Sequence, residues 1–276
     1  MSSVTIVDKS EVLSGLFGTW YSLDQLLSGL SEQQWQTPTP LPGWCVHDVV
    51  AHMIGTESAL HGLGAPNADI DAATLDHVRN DVGVANEAWV RHLSPESGAA
   101  LLERFRSITA DRRQRLNDMS IDDWNAPTPT PVGMESFGRF MRVRLFDCWM
   151  HEQDIHDGVG LPSSEVELSG PGARLSLDEI AATMGFVVGK LGKAPEGSRV
   201  AIELTGPQAR TIRVAVDGRA QVVDDFGGLD PTSTIHLDGL LFARLAGGRT
   251  DDTTGVELGG DTAVAARIVE HLNFVI

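Results

Sequence analysis

The segment Ser31–Trp44, SEQQWQTPTPLPGW, returns as Ser120–Gly133, SIDDWNAPTPTPVG. Ser31 aligns with Ser120, Trp35 with Trp124, and Pro38, Pro40 and Pro42 with Pro127, Pro129 and Pro131, all at one offset. Proline lacks the amide proton and clashes with the preceding turn, so neither copy can continue a helix. Each copy stands between one long apolar-periodic segment and the next. The simplest account is two helix–loop–helix hairpins related by duplication and packed as a four-helix bundle; recurrence of a Trp–Pro turn without duplication is the alternative.

The periodic segments fit this scheme. Leu13, Leu16, Phe17, Trp20, Leu23, Leu27 and Leu30 recur at helical spacing and predict a first helix over 12–30. Ser31 and Gln34 have the spacing of a capping box, giving one short turn before the prolines. A second helix is predicted over 46–62. The segment 64–94 is mixed and polar and reads as a long connection holding a weaker helix. Ser94–Pro95 reads as an N-cap with proline at the first helical position, opening a third helix that ends near Met119. Arg104, Arg106, Arg112, Arg113 and Arg115 are assigned to its outer face. The fourth helix covers 140–158, FMRVRLFDCWMHEQDIHDG.

That fourth helix is apolar enough to be buried, yet Asp147 and His151 lie four residues apart and so on one face. Burying a carboxylate and an imidazole together is expensive unless a charge meets them. Two such groups can converge on one cation, and a plain Asp–His hydrogen bond is the other explanation. If the hairpins are duplicates, the second helix is equivalent to the fourth, and it carries His52 among Val49, Val50, Met53 and Ile54. Two imidazoles and one carboxylate with positions left open form the ligand set of catalytic zinc or non-haem iron rather than of a closed structural site. Asp154, three residues past His151, is either a partner orienting that imidazole or a helix-end residue. The sequence His151–Glu152 resembles the start of a zinc-protease motif, but the next histidine, His156, falls about 140° around the helix and the geometry fails. Neither Cys45 nor Cys148 has a base placed beside it, and both read as packed free thiols.

Composition narrows the functional classes. A net charge of -17 argues against non-specific binding to nucleic acid or anionic membranes. No basic stretch followed by an apolar core opens the chain, and no run of about 18 apolar residues occurs, so a cytoplasmic protein is expected. The length of 276 residues favours two domains.

Two stretches carry a resemblance. PGWCVHDVVAHMIG, with a tryptophan before the second helix and a histidine within it, resembles the N-terminal signature of the mycothiol-dependent maleylpyruvate isomerase family. That family belongs to the DinB-like metal-binding four-helix bundles. RLFDCWMHEQDIHDGVG resembles the same family's fourth-helix signature. The resemblance implies that His52, Asp147 and His151 are metal ligands, with zinc or another divalent ion as the metal. In the characterised isomerases the carboxylate is expected to be a glutamate, so Asp147 is one methylene shorter.

After a turn over 158–164 the pattern changes. RVAIELTG and RTIRVAVDG alternate as two strands of a hairpin; STIHLDG and GVELGG are further strands, and helices are predicted over 175–190, in GLLFARLAGG and over 262–272. The expected fold is therefore α plus α+β: a DinB-like four-helix bundle over 1–160, then a smaller α+β domain with a largely antiparallel sheet over 165–276. The second part is similar to the family's sterol-carrier-like C-terminal domain, and FARLAGGR matches a recurrent family segment. From it, Arg244 is assigned a catalytic and Arg249 a cofactor-binding role, either one being able to hold a substrate carboxylate bidentately; for Arg249, complementing the helix dipole is the competing role.

The resemblance implies an enzyme with mycothiol, the actinobacterial counterpart of glutathione, as cosubstrate. The expected activity is S-transfer of the thiol, activated as thiolate at the metal, to an electrophilic small molecule, with Asp154 assisting. Maleylpyruvate cis–trans isomerisation is the alternative, followed by metal-dependent hydrolysis and non-catalytic ligand binding. The expected partners are the thiol and the electrophile, with no nucleic acid or membrane, in a monomer or homodimer.

Overall fold

The computed structural model describes residues 4–67, 70, 75, 78, 80–130 and 133–274. The chain divides into two compact units, Met1–Ser163 and Ser164–Ile276. Pro131 and part of the 64–94 connection lie outside the described residues.

In the first unit four long helices form a bundle: α1 (Lys9–Ser28), α3 (Val46–Leu60), α5 (Gly98–Asp118) and α7 (Phe137–Val159). Helix α1 packs on α5 and α7, and α3 on the same two. The core between them includes Leu16, Trp20, Leu23, Val50, Met53, Phe105, Leu116, Met141, Leu145 and Trp149. Short helices α2 (Glu32–Trp35) and α6 (Ile121–Asn125) hold the repeated segments. Their tryptophans occupy equivalent places. Trp35 is buried so tightly against Gly98, at the start of α5, that a Cβ there would fall 2.5 Å from its ring. The Trp124 indole donates to the Val7 carbonyl at 3.1 Å, just before α1. Each hairpin thus buries its tryptophan at the entrance to the other, as a duplicated bundle requires. The second copy departs by forming a two-stranded ribbon, β1 (Pro127–Thr130) against β2 (Gly133–Ser136), before α7 begins.

Two expectations fail here. Ser94 closes α4 (Asp81–Leu93) instead of opening the next helix. Ser97 is the N-cap of α5, and the Glu32 carboxylate accepts from the Gly98 and Ala99 amides, satisfying free donors of that first turn. Arg112 is wholly buried rather than on the outer face. It lies on the stripe Phe105–Ile108–Thr109–Arg112–Leu116 that faces the core.

The second unit opens with α8 (Glu165–Ser169) and α9 (Pro171–Phe186), which ends in one π-helical turn, Val187–Leu191. Its sheet comprises β3 (Arg199–Thr205), β4 (Arg210–Asp217), β5 (Arg219–Val223), β6 (Ser233–Asp238) and β7 (Glu257–Gly260). The order is β5-β4-β3-β6-β7, with β3 and β6 parallel and the other pairs antiparallel. Helices α10 (Gly239–Ala246) and α11 (Thr262–Glu270) follow β6 and β7. The sequence reading did not name β5, which pairs back on β4 through Gly218 at φ 64, a conformation glycine adopts freely. A helical N-terminal part followed by a domain with a mostly antiparallel sheet is the expected fold class.

Candidate metal centre

Helices α3 and α7 bring three of the named residues together. Helix α3 starts at Cys45, whose amide and thiol both donate to Asp48 Oδ2, at 3.0 and 3.1 Å. This capping fixes the entry of the helix and puts His52 on its second turn, facing α7. Helix α7 starts where Ser136 Oγ accepts from the Arg139 amide at 3.0 Å, and stops at Gly160, φ 70. Arg144, Asp147, His151 and Asp154 follow one another at steps of three or four residues and so share one stripe of α7.

Asp147 stands between the two imidazoles. Its Oδ2 lies 3.6 Å from His52 Nε2, and its Oδ1 lies 3.6 Å from His151 Nε2. The three ligand atoms all lie within 4.8 Å of one another, and the imidazole rings meet edge to face at 4.9 Å. A separation of 3.6 Å is too long for a hydrogen bond. It fits ligands sharing one ion: bonds of about 2.0–2.2 Å at tetrahedral angles place neighbouring donors roughly 3.3–3.6 Å apart. Both histidines are nearly buried, while the Asp147 side chain is 34% exposed, so the cluster is open on the carboxylate's side.

Asp154 completes the set from behind. It is wholly buried, and the His151 Nδ1–H donates to its Oδ2 at 3.0 Å, which leaves Nε2 directed at Asp147. Trp44 lies over His52 with ring centroids 5.2 Å apart, and its indole N–H donates to Glu87 Oε1 at 2.8 Å. His156 donates from Nδ1 to the Leu161 carbonyl at 2.8 Å, an interaction at the end of α7. Arg244 and Arg249 belong to the second unit, at the end of α10 and just beyond it; Arg249 donates to the carbonyls of Arg244, through its amide, and Gly247, through Nη1.

A buried chain of charges leads to the cluster. Glu57 on α3 accepts from Arg112 Nε on α5 at 2.9 Å and from Arg144 Nε on α7 at 2.7 Å. Arg144 Nη1 donates onward to Asp147 Oδ2. These partners set the protonation states. Burial pushes Asp147 up, yet Arg144 and then the two histidines outweigh it and hold the carboxyl well below its ordinary 3.8. Burial lowers His52 below its ordinary 6.5, with Asp147 offsetting part of the effect. Burial also pulls on His151, but Asp147 and Asp154 outweigh it and raise its pKa. Cys148 is pushed up by burial to about 12, and Cys45 is also raised, burial leading.

The opposite shifts of the two imidazoles give a testable pH signature in the metal-free protein. The stability His151 contributes is complete below 6.5 and lost as pH rises through its raised value. The stability His52 contributes is complete above 6.5 and lost as pH falls through its lowered value. Between about pH 5.5 and 8.5, either side of the ordinary imidazole value, His151→Ala should therefore gain in urea midpoint relative to the parent as pH rises, and His52→Ala should lose. Parallel curves for all three proteins would refute the opposed shifts.

Sequence reasoning missed Arg144, Glu57, Arg112, Trp44 and Glu87. A signal existed for Arg112, which sits on the core-facing period of α5, and for Arg144, one turn before Asp147 on the same stripe. The partner of each lies on another helix, which spacing along one segment does not report.

Residues 18–156 match the family description of the mycothiol maleylpyruvate isomerase N-terminal domain, and residues 174–267 match that family's C-terminal domain. A protein described as uncharacterised, from two strains of Mycobacterium tuberculosis, is 24% identical over 194 residues, covering 68% of this chain and 70% of its own length. Among solved structures, that of the mycothiol-dependent maleylpyruvate isomerase superposes with a TM-score of 0.61 at 18% identity, covering 94% of this chain and 96% of its own. A histidine-to-alanine variant of that isomerase matches equally well. At this identity the structural likeness is one of fold. Among the described residues no helix is long and apolar enough to cross a membrane.

Proposed function

The chain belongs to the mycothiol maleylpyruvate isomerase family of enzymes, and on that premise we propose that it holds a divalent ion, zinc being the one the family resemblance implies, on His52, Asp147 and His151 and uses it to activate the thiol of mycothiol. The observation that carries this reading is the placement of two Nε2 atoms, each 3.6 Å from a different oxygen of one carboxylate. A divalent ion bound there lowers the pKa of a thiol as it does that of water, supplying thiolate at neutral pH.

The chain's own residues prepare for this. Arg144 keeps Asp147 ionised, burial keeps His52 neutral, and Asp154 orients His151, whose Nε2 proton a bound ion would displace. Trp44 covers the His52 side and limits the approach of water there. Arg112 and Arg144 against Glu57, Asp147 and Asp154 leave one net negative charge. A divalent ion turns this into one net positive charge, which a thiolate neutralises. The chain's own thiols do not serve, since both are held protonated by burial. In the second unit, Arg244 and Arg249 are the groups we assign to binding carboxylates.

Attack of the thiolate on a carbon–carbon double bond conjugated to a carbonyl gives an enolate; rotation about the resulting single bond and expulsion of the thiolate, which re-forms the double bond, give cis–trans isomerisation. Protonation of the enolate with retention of the carbon–sulfur bond gives S-transfer. The family match favours isomerisation, and transfer shares its first step. A mycothiol-using enzyme would work in the cytoplasm, where that thiol is kept reduced.

The test is metal analysis of the purified protein combined with assays on maleylpyruvate and on a thiol-alkylating electrophile, each with and without mycothiol. One divalent ion per chain and thiol-dependent turnover are expected. Unchanged thiol concentration marks isomerisation, and stoichiometric loss marks transfer. Turnover that proceeds without thiol would replace this reading with hydrolysis.

A further inference from the structure

The buried bridge beyond Asp147 has no explanation in folding energy alone. Arg112 and Glu57 are fully buried and Arg144 is 3% exposed. Taking three charged groups out of water carries a desolvation penalty that their mutual attraction roughly cancels, and apolar side chains of similar volume stabilise a core as well or better. What distinguishes the bridge is where it ends. Glu57 uses one carboxylate oxygen for each arginine, through the Nε atom in both cases. That leaves Arg144 Nη1 directed at Asp147 Oδ2, the oxygen that also faces His52. The bridge spans α3 and α7, the two helices that carry the ligands. Glu57 lies five residues beyond His52, and Arg144 lies one turn before Asp147. It therefore fixes both the relative placement of these helices and the rotamer of a carboxylate with only one methylene of reach.

We propose that Arg144 is a positioning residue for the metal centre: anchored by Glu57, which Arg112 locks from α5, it holds Asp147 in the orientation that offers one oxygen to each histidine. This rests on the metal reading of His52, Asp147 and His151. The bridge contributes no ligand, so its role is to keep the site formed before the ion arrives. A side chain that must be ordered on binding loses affinity, and groups that orient ligands typically account for about 10- to 100-fold in metal affinity.

The experiment uses the full-length protein stripped of metal. Zinc affinity is measured by competition with a chromophoric chelator, and the visible spectrum of the cobalt-substituted protein reports ligand geometry. Three proteins are compared: the parent, Glu57→Gln, which loses the charge while keeping the shape, and Arg144→Lys, which keeps a positive charge near Asp147 but cannot reach both carboxylates. Thermal melts establish that each is folded. Zinc binding weakened by about 10- to 100-fold in both variants, with an altered cobalt spectrum in the folded protein, is the expected result. If Glu57→Gln does not fold, Arg144→Lys reads the same property. A merely structural role would lower the melting temperature and leave the affinity and spectrum of the folded protein as in the parent, and that outcome overturns the proposal. Failure of the parent itself to bind zinc would instead remove the metal reading on which the proposal stands.

Discussion

In the His52→Ala variant, metal affinity falls by more than about 100-fold and thiol-dependent turnover disappears, while the helical bundle still folds. The size follows from comparison with Asp154→Asn, which only disturbs the orientation of His151 and should stay within the roughly 10- to 100-fold range of such partners. Losing a donor outright must exceed that. Folding survives because His52 Nδ1 has no hydrogen-bond partner and its ring lies against Trp44 and the His151 ring, while Asp147 keeps Arg144, so truncation leaves a cavity and no stranded charge. Chelator competition, turnover with mycothiol and a urea melt of the metal-free variant check the three parts. Parent-like turnover in a metal-free His52→Ala protein would remove the ligand assignment.

Glu57→Ala should have the opposite profile, with its main effect on stability. It leaves Arg112 and Arg144 in the core without the carboxylate both depend on. Removing one partner of a buried charge pair typically destabilises by about 3–5 kcal/mol. For a chain of this size that is a fall in Tm of roughly 6–20 °C, at about 2–4 °C per kcal/mol. Replacing all three groups together, Arg112→Met with Glu57→Leu and Arg144→Met, should recover most of the lost stability, because no charge is then left unpaired. It should not recover metal affinity, since Asp147 has lost its anchor. Differential scanning calorimetry on the two variants, with the same chelator titration, separates the contributions. A triple variant that binds zinc as the parent does would show that the bridge serves the fold alone.

The repeated Trp–Pro segments exposed the bundle, because a break that recurs at a fixed offset marks where helices end regardless of what they pack against. His52 was legible through the equivalence of the two hairpins, and Asp147 and His151 because a shared face is a property of spacing. Asp154 was legible for the same reason. Glu57 and Arg112 were not, since a charged residue on a helix reads as solvated until a partner from another helix is brought to it. Arg112 shows the limit most clearly: its position obeys the core period of α5, while its charge argues for the outside. Ser94 resembles a cap because serine followed by proline is a common helix start, whereas the first amides of α5 are met by Ser97 and by Glu32, more than sixty residues earlier.

The continuity of α7 has a further consequence. Arg144, Asp147, His151 and Asp154 share one stripe through the helical repeat of a single unbroken 23-residue helix. Substitution at any position between them alters one side chain. A single residue gained or lost there would swing everything downstream by about 100° and disperse the four groups around the rod. The stretch from Arg144 to Asp154 can thus change its letters but not its length. Insertions and deletions accumulating during divergence are therefore expected to avoid these eleven positions and collect in the connecting segments.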